Sequence, residues 1–214
     1  MTSHKLKIPE IQINPAARAD QEAICRVLAA DGRFVRIRTV NWPQYPSSPR
    51  CGVYVGHSDA YLWLMFEGIF NDFRITVGDD LAPVANDNCF EAFLAGVDRK
   101  EYWNFEFNAS GACNASHRQR RDNPTRLTRT QLARIIRWSE VTSRVVHGAR
   151  KTRWRLLAGI PLSLPGLTSS KELRANFYAC SSKNPEPYYL SWAPIESDIP
   201  DFHRPEFFGQ LTLL

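Results

Sequence analysis

Three short segments combine residue types that could recognise a ligand. In the first, Tyr102, Asn104, Glu106 and Asn108 alternate with Trp103, Phe105 and Phe107. In the second, Arg174, Asn176, Tyr178 and Cys180 alternate with Ala175, Phe177 and Ala179. Period-two alternation puts the apolar set on one face of a strand and the polar set on the other. A third strand carries Glu91 between Cys89 and Phe93 on the same kind of face. Carboxylate, amide and guanidinium forks answer the paired donors and acceptors of sugar hydroxyls, and aromatic rings stack on the C–H faces of pyranoses. An alternative from the same residues is a buried ion pair of Glu91, Glu106 and Arg174 with amide support.

Other candidates stand around these strands. Trp192, at a strand end before Pro194, is a stacking group or a core residue. Asp87 and Asn88 could contact ligand, form a turn or contribute to a calcium site, which needs six to eight oxygens. His203 stands between Asp201 and Glu206 in a Pro-flanked loop and reads as structural, since no Ser or Cys sits in a nucleophile motif. A glycosidase using Glu91 and Glu106 would place them across a cleft, about 5–5.5 Å apart for retention or about 6.5–9.5 Å for inversion. If Arg174 lies between them, it would keep both ionised and oppose general acid catalysis.

The elements that must position these residues are mostly strands. Residues 34–40, 53–57, 61–67, 73–77, 89–94, 101–108, 152–160, 174–180, 188–192 and 207–213 have strand patterns, with residues 61–66 apolar on both faces and hairpinned to 53–57 through Ser58-Asp59. Three prolines in residues 42–49 make that stretch an extended connection. Helical spacing occurs at residues 19–28, stopped by Gly32, and within 126–138, where Thr128 or Thr130 can cap and Leu132, Ile135 and Ile136 share a face.

With 214 residues, 43% hydrophobic, 14 Pro and 11 Gly, the chain is sized and punctuated as one many-stranded domain. The formal charge is +5, but residues 117–155 hold twelve Lys and Arg against Asp122 and Glu140. That local +10 leaves −5 for the remainder. Few aromatics interleave the arginines, so a solvated loop and helix face is favoured over a nucleic-acid footprint, with protein docking as a further use of the same basic region. Cys25, Cys51, Cys89, Cys113 and Cys180 form no C-x-x-C pair and read as buried thiols. The sequence shows neither a signal-peptide core nor a membrane-spanning run, so the expectation is a cytoplasmic protein, or an extracellular one if the chain is a processed form, and no membrane partner.

Three stretches also resemble a known family: Asp87-Asn88-Cys89-Phe90-Glu91-Ala92-Phe93; Tyr102-Trp103-Asn104-Phe105-Glu106-Phe107-Asn108; and Arg174-Ala175-Asn176-Phe177-Tyr178-Ala179-Cys180, continuing through Leu190-Ser191-Trp192-Ala193-Pro194 to Asp201-Phe202-His203-Arg204-Pro205-Glu206-Phe207-Phe208-Gly209. With Asn41-Trp42-Pro43, they are similar to the family 9-like carbohydrate-binding proteins, relatives of modules attached to xylanases. The resemblance implies an all-β, single-domain sandwich, immunoglobulin-like or jelly-roll-like, formed by residues 34–214 with a helical leader at residues 1–33 packed on it. It further implies non-catalytic binding of a mono- or oligosaccharide end, no required cofactor, and structural calcium in some members. Asp87, Glu91, Asn108, Arg174, Asn176 and Trp192 fall at the family's acidic, amide, arginine and second-tryptophan positions. The first tryptophan of the family's clamp is replaced in Pro83-Val84-Ala85, leaving Tyr102, Tyr178 or Trp42 to substitute for it.

Overall fold

The computed structural model describes residues 4–13, 20–167 and 171–214. In chain order the elements are β1 (Lys5–Ile8), α1 (Gln21–Asp31), β2 (Arg33–Ile37), β3 (Thr39–Val40), β4 (Arg50–His57), β5 (Tyr61–Phe70), β6 (Cys89–Ala95), β7 (Tyr102–Asn108), β8 (Cys113–Arg118), β9 (Pro124–Arg126), α2 (Arg129–Leu132), β10 (Ile136–Val146), β11 (Ala149–Pro161), β12 (Glu172–Ser181), β13 (Tyr188–Ser191) and β14 (Gly209–Leu213). Among the described residues they make two sheets packed as a sandwich. The first runs β1-β14-β12-β6-β7-β8-β9, with β13 beside the second half of β12 and β3 beyond it; the second runs β10-β11-β5-β4-β2. Every pairing is antiparallel except β1 with β14.

The apolar halves of the alternating strands meet between the sheets. Phe66 of β5 stacks on Phe90 of β6 at 5.0 Å, and Phe90 on Trp154 of β11 at 4.3 Å, joining the layers through offset rings. Both outer faces are also covered, which is why β5 is apolar on both sides and every residue of β6 is buried. On the second sheet α1 is the cover, setting Ile24, Cys25 and Leu28 against Trp63, Met65 and Leu157. Asp20 caps this helix by accepting from the Ala23 amide at 2.9 Å, and the Gly32 amide closes it on the Leu28 carbonyl. The expected start at Ala19 lies outside the described residues. On the first sheet the cover is the segment after β13, with Ile195, Phe202 and Phe208 packed on Phe93, Tyr102 and Tyr178.

Several expectations need correction. Residues 34–40 are not one strand: β2 pairs with β4 and β3 with β13, so the chain passes from one sheet to the other at Arg38. Residues 73–77 form no strand, because side chains of Asp87 and Asn88 take up their amides in place of a ladder. The helix expected within 126–138 is a single turn. Thr128 does cap it, in a capping box with Gln131, but Ile136 and Trp138 belong to β10. The basic stretch is therefore largely strand rather than helix face. Most of its arginines are exposed, and four of them pair with acids of the domain: Arg137 with Asp80, Arg153 with Glu67, Arg155 with Glu140 and Arg121 with Asp201.

Candidate functional site

Register across the first sheet decides which polar residues meet. Glu91 of β6 is the direct partner of Glu106 on β7 and of Tyr178 on β12, and Glu106 is the partner of Asn114 on β8. Directly opposed antiparallel residues project side by side with Cβ atoms about 4.5–5.5 Å apart. The two carboxyl groups thus sit together on the outer face. They are 4% and 8% exposed, and they floor a half-open pocket of 160 Å³. Tyr189, Ser182, Ala85, Arg121, Asp201 and His203 form much of its wall.

Each carboxyl is held differently. Glu106 accepts from Asn104 Nδ2 at 2.8 Å and from Asn114 Nδ2 at 3.1 Å, and Asn104 in turn accepts from Arg118 Nε at 2.7 Å. Glu91 accepts from the Cys180 thiol at 3.2 Å. Burial pushes the Glu91 carboxyl well above its ordinary range, and neighbouring Cys180 and Glu106 push the same way. Glu106 is also raised by burial, with Asn114, Arg118 and Asn104 opposing the rise. Both carboxyls thus hold a proton more readily than a free glutamate, Glu91 the more so, and a carboxyl that keeps its proton donates as well as accepts. Arg174 does not separate the two acids. Its register partner is Ala95, four residues along β6 from Glu91, so the condition under which it would keep both acids ionised is not met.

The wall above the acids is built by the segment after β13. The Tyr178 hydroxyl donates to the Phe202 carbonyl at 3.2 Å, and their rings stack at 4.1 Å. Asp201 meets Arg121 at 3.3 Å and accepts from the His203 amide at 2.9 Å. His203 Nδ1 lies 3.1 Å from the Tyr102 hydroxyl. Burial, together with Arg118 and Arg121, pushes this imidazole down to about 3, so it is neutral at the pocket. Burial also raises the Tyr102 phenol to about 12.

Other residues singled out in the sequence are engaged elsewhere. Asp87 is fully buried and accepts from the Thr76 amide and hydroxyl, the Val77 amide and Asn108 Nδ2, with Arg74 Nε at 3.5 Å. Asn88 accepts from the Arg74 amide and donates to the Tyr188 hydroxyl. Asn108 donates to the Val77 carbonyl and accepts from Ser110. This knot surrounds Asp87 with N–H and O–H donors and a guanidinium, the opposite of the oxygen cage that calcium requires, so these residues do not fit that ion. Asn176 is closed on Ala193. Trp192 packs with the inner core, 5.7 Å from Phe177 and 5.7 Å from His4, and lies over Gly209, where a Cβ would meet the indole at 2.7 Å.

The structure thus brings Glu91, Glu106 and, through His203, Tyr102 to one place, and puts Trp192 on the other side of β12. The aromatic substitutes considered for the missing tryptophan, Tyr102, Tyr178 and Trp42, are all buried. Tyr189 lines the pocket, together with the rings of Phe202 and His203. Tyr189, Arg121 and Asp201 were missed. Their signals were present as the Tyr188-Tyr189 pair, the arginine run and the Pro200-Asp201-Phe202-His203 loop, but loop closure has no periodicity to read.

Among the described residues no helix is long and apolar enough to cross a membrane. No curated protein matches the sequence. The structure is similar over 100% of both chains to a candidate carbohydrate-binding protein from Bacteroides uniformis ATCC 8492, with 26% identity and a TM-score of 0.87. It is similar over 98% of its length to 95% of a family 9 carbohydrate-binding module from Caldicellulosiruptor kristjanssonii in complex with glucose, at 9% identity and a TM-score of 0.56. A module of that family from the same organism in complex with cellotriose matches over 98% and 93% of the two chains, at 6% identity and a TM-score of 0.52. At such identities the likeness to those two modules concerns the fold. The family model described as carbohydrate-binding family 9 matches residues 24–213, and with nearly its whole length inside that match the chain belongs to carbohydrate-binding family 9.

Proposed function

We propose that this protein binds carbohydrate without transforming it, seating the end of a mono- or oligosaccharide in the pocket over Glu91 and Glu106. The observation that carries this reading is the side-by-side pair of buried carboxyl groups flooring a half-open pocket in a family 9 chain. Protonated carboxyls supply both donors and acceptors, as vicinal hydroxyls demand. Arg121 and Asp201 add one fork of each sign at the rim, and Tyr189 offers an aromatic wall. The pocket has room for about five water molecules, the scale of one sugar ring. Family 9 modules with this fold are seen with glucose and cellotriose, which makes glucose-type ends the first ligands to try.

The same geometry disfavours hydrolysis. Glu91 and Glu106 issue from opposed positions of neighbouring strands and approach a ligand from one side, whereas a glycosidase flanks the scissile bond with its two carboxyls. Isothermal calorimetry against glucose, cellobiose, cellotriose and a wider glycan panel should show saturable binding, weakened tenfold or more by Glu91→Ala and by Tyr189→Ala. Silence across the panel, or variants that bind like the parent, would sink the proposal.

A further inference from the structure

Beneath the pocket, Cys89 of β6 and Cys180 of β12 are direct ladder partners, and their side chains share the outer face with Glu91, two residues along β6. One donor atom from each of Cys89, Cys180 and Glu91 lies within 4.8 Å of the others, and Cys180 Sγ is 3.2 Å from Glu91 Oε1. Zinc-type bond lengths put the ligand atoms of a tetrahedral ion roughly 3.5–3.8 Å apart, so contraction of at most about 1.3 Å, with a slight lengthening of the Cys180–Glu91 contact, closes the trio. The backbone already fixes the arrangement: two antiparallel strands hold the thiols opposite each other, and no loop has to fold in. Among the described residues this is the one such group of three, and Cys25, Cys51 and Cys113 are buried apart from it.

We infer that Cys89, Cys180 and Glu91 form a binding site for a thiophilic divalent cation of the zinc class. Two sulfurs and one carboxylate suit Zn2+ or Cd2+ and not the oxygen-seeking Ca2+ or Mg2+. Glu91 and Cys180 also line the pocket, which gives an ion its way in and leaves the fourth tetrahedral direction open to water. On binding, the two thiols and the carboxyl release their protons to solvent and the cation takes their place, with no change of oxidation state. The site does not depend on what the pocket above it holds. If a saccharide does bind there, the cation and the sugar both claim Glu91, and each should weaken the other.

The test uses the full chain, metal-free and kept in a phosphine reductant, titrated with Cd2+ and separately with Co2+. We expect one equivalent of Cd2+ to raise an ultraviolet thiolate-to-metal charge-transfer band, and Co2+ to give the visible bands of a tetrahedral complex. Cys89→Ser/Cys180→Ser abolishes both, Glu91→Gln weakens affinity tenfold or more, and Cys25→Ser changes neither. Circular dichroism of the metal-free variants separates loss of the site from loss of the fold, and Glu91→Gln keeps the test decisive if the double variant misfolds. Absence of the band at excess Cd2+, its persistence at full strength in Cys89→Ser/Cys180→Ser, or an unchanged Cd2+ affinity in Glu91→Gln overturns the inference. None of these readouts requires sugar binding, so failure here and failure of the carbohydrate reading are distinguishable.

Discussion

Asn176 is paired with Ala193 in both directions: its Nδ2 donates to the Ala193 carbonyl at 3.0 Å and its Oδ1 accepts from the Ala193 amide at 2.9 Å. The side chain thus acts as an extra rung of β-ladder, fixing the segment that later crosses the outer face of the first sheet. Asn176→Ala takes the Oδ1 acceptor from the buried Ala193 and Phe177 amides, at about 1–3 kcal/mol for each donor left unpaired, while the Ala193 carbonyl keeps the Ser191 hydroxyl at 2.7 Å. We expect about 3 kcal/mol of destabilisation, read as a lower urea midpoint with unchanged slope. A loss below about 0.5 kcal/mol would contradict this pairing.

Trp192 makes a sharper contrast. Its indole packs on Phe177 and over Gly209, on the core side of the sheet. Trp192→Ala should cost about 3 kcal/mol as a large-to-small core change. It should leave the saccharide affinity of the folded fraction within about twofold (about 0.4 kcal/mol) of the parent. A Trp192→Ala protein that is stable yet unable to bind sugar would restore the indole as a ligand contact.

His203 sets a pH dependence. Its ordinary value is 6.5 and burial lowers it to about 3 in the folded chain. Between those values the unfolded chain takes up a proton that the folded chain refuses, so stability is full above 6.5 and falls as pH drops through the window. The slope contributed is at most about 1.4 kcal/mol per pH unit. His203→Gln should flatten the fall in unfolding free energy from neutral pH downward; parallel curves for the two proteins would refute it.

Arg137 of β10 grips Asp80 through two nitrogens, at 2.6 and 3.1 Å, and also donates to the Gly111 carbonyl at 2.9 Å. Asp80 accepts from the Cys113 amide at 2.8 Å as well. Burial raises the Asp80 carboxyl, but the bonds from Arg137 and Cys113 outweigh it and hold the group below its ordinary value. Arg137→Met leaves that charge without its partner and should cost about 3 kcal/mol. Arg137→Met/Asp80→Asn should recover part of the loss. Additive losses in that double-mutant cycle would show that the pair is not coupled.

The strand-rich class and the partition of faces were legible because period-two alternation is a local property. Phe105, Phe107, Ala175 and Phe177 do face the main core, and Glu91, Glu106, Tyr178 and Cys180 do share the other face. Alternation cannot distinguish a face that meets solvent from one that a later segment covers. Tyr102, Asn104 and Tyr178 therefore read as open surface although Phe202, His203 and Phe208 lie over that side of the sheet. Residues 73–77 failed for a related reason: their strand-like pattern is real, but Asp87 and Asn88, more than ten residues later, satisfy the amides. At Ile136 helical spacing lost to the tertiary pairing of β10 with β11. The acids were legible because each lies on a patterned strand, whereas Tyr189 reaches the pocket only through the register of β13 on β12, and Asp201 and Arg121 only when loops close.

The order of strands in the first sheet has a consequence for synthesis. β6 is buried on both faces and is paired on one side by β12, whose first residue, Glu172, lies about 80 positions beyond Ala95. At ribosomal rates of about 5–20 residues per second, the β6–β7–β8 meander waits roughly 4–16 s with an apolar edge unpaired. Until Glu172–Ser181 is made, that edge is a template for other nascent chains. Yield in a cell should therefore respond to chaperone supply and translation speed more than the finished domain's stability would suggest.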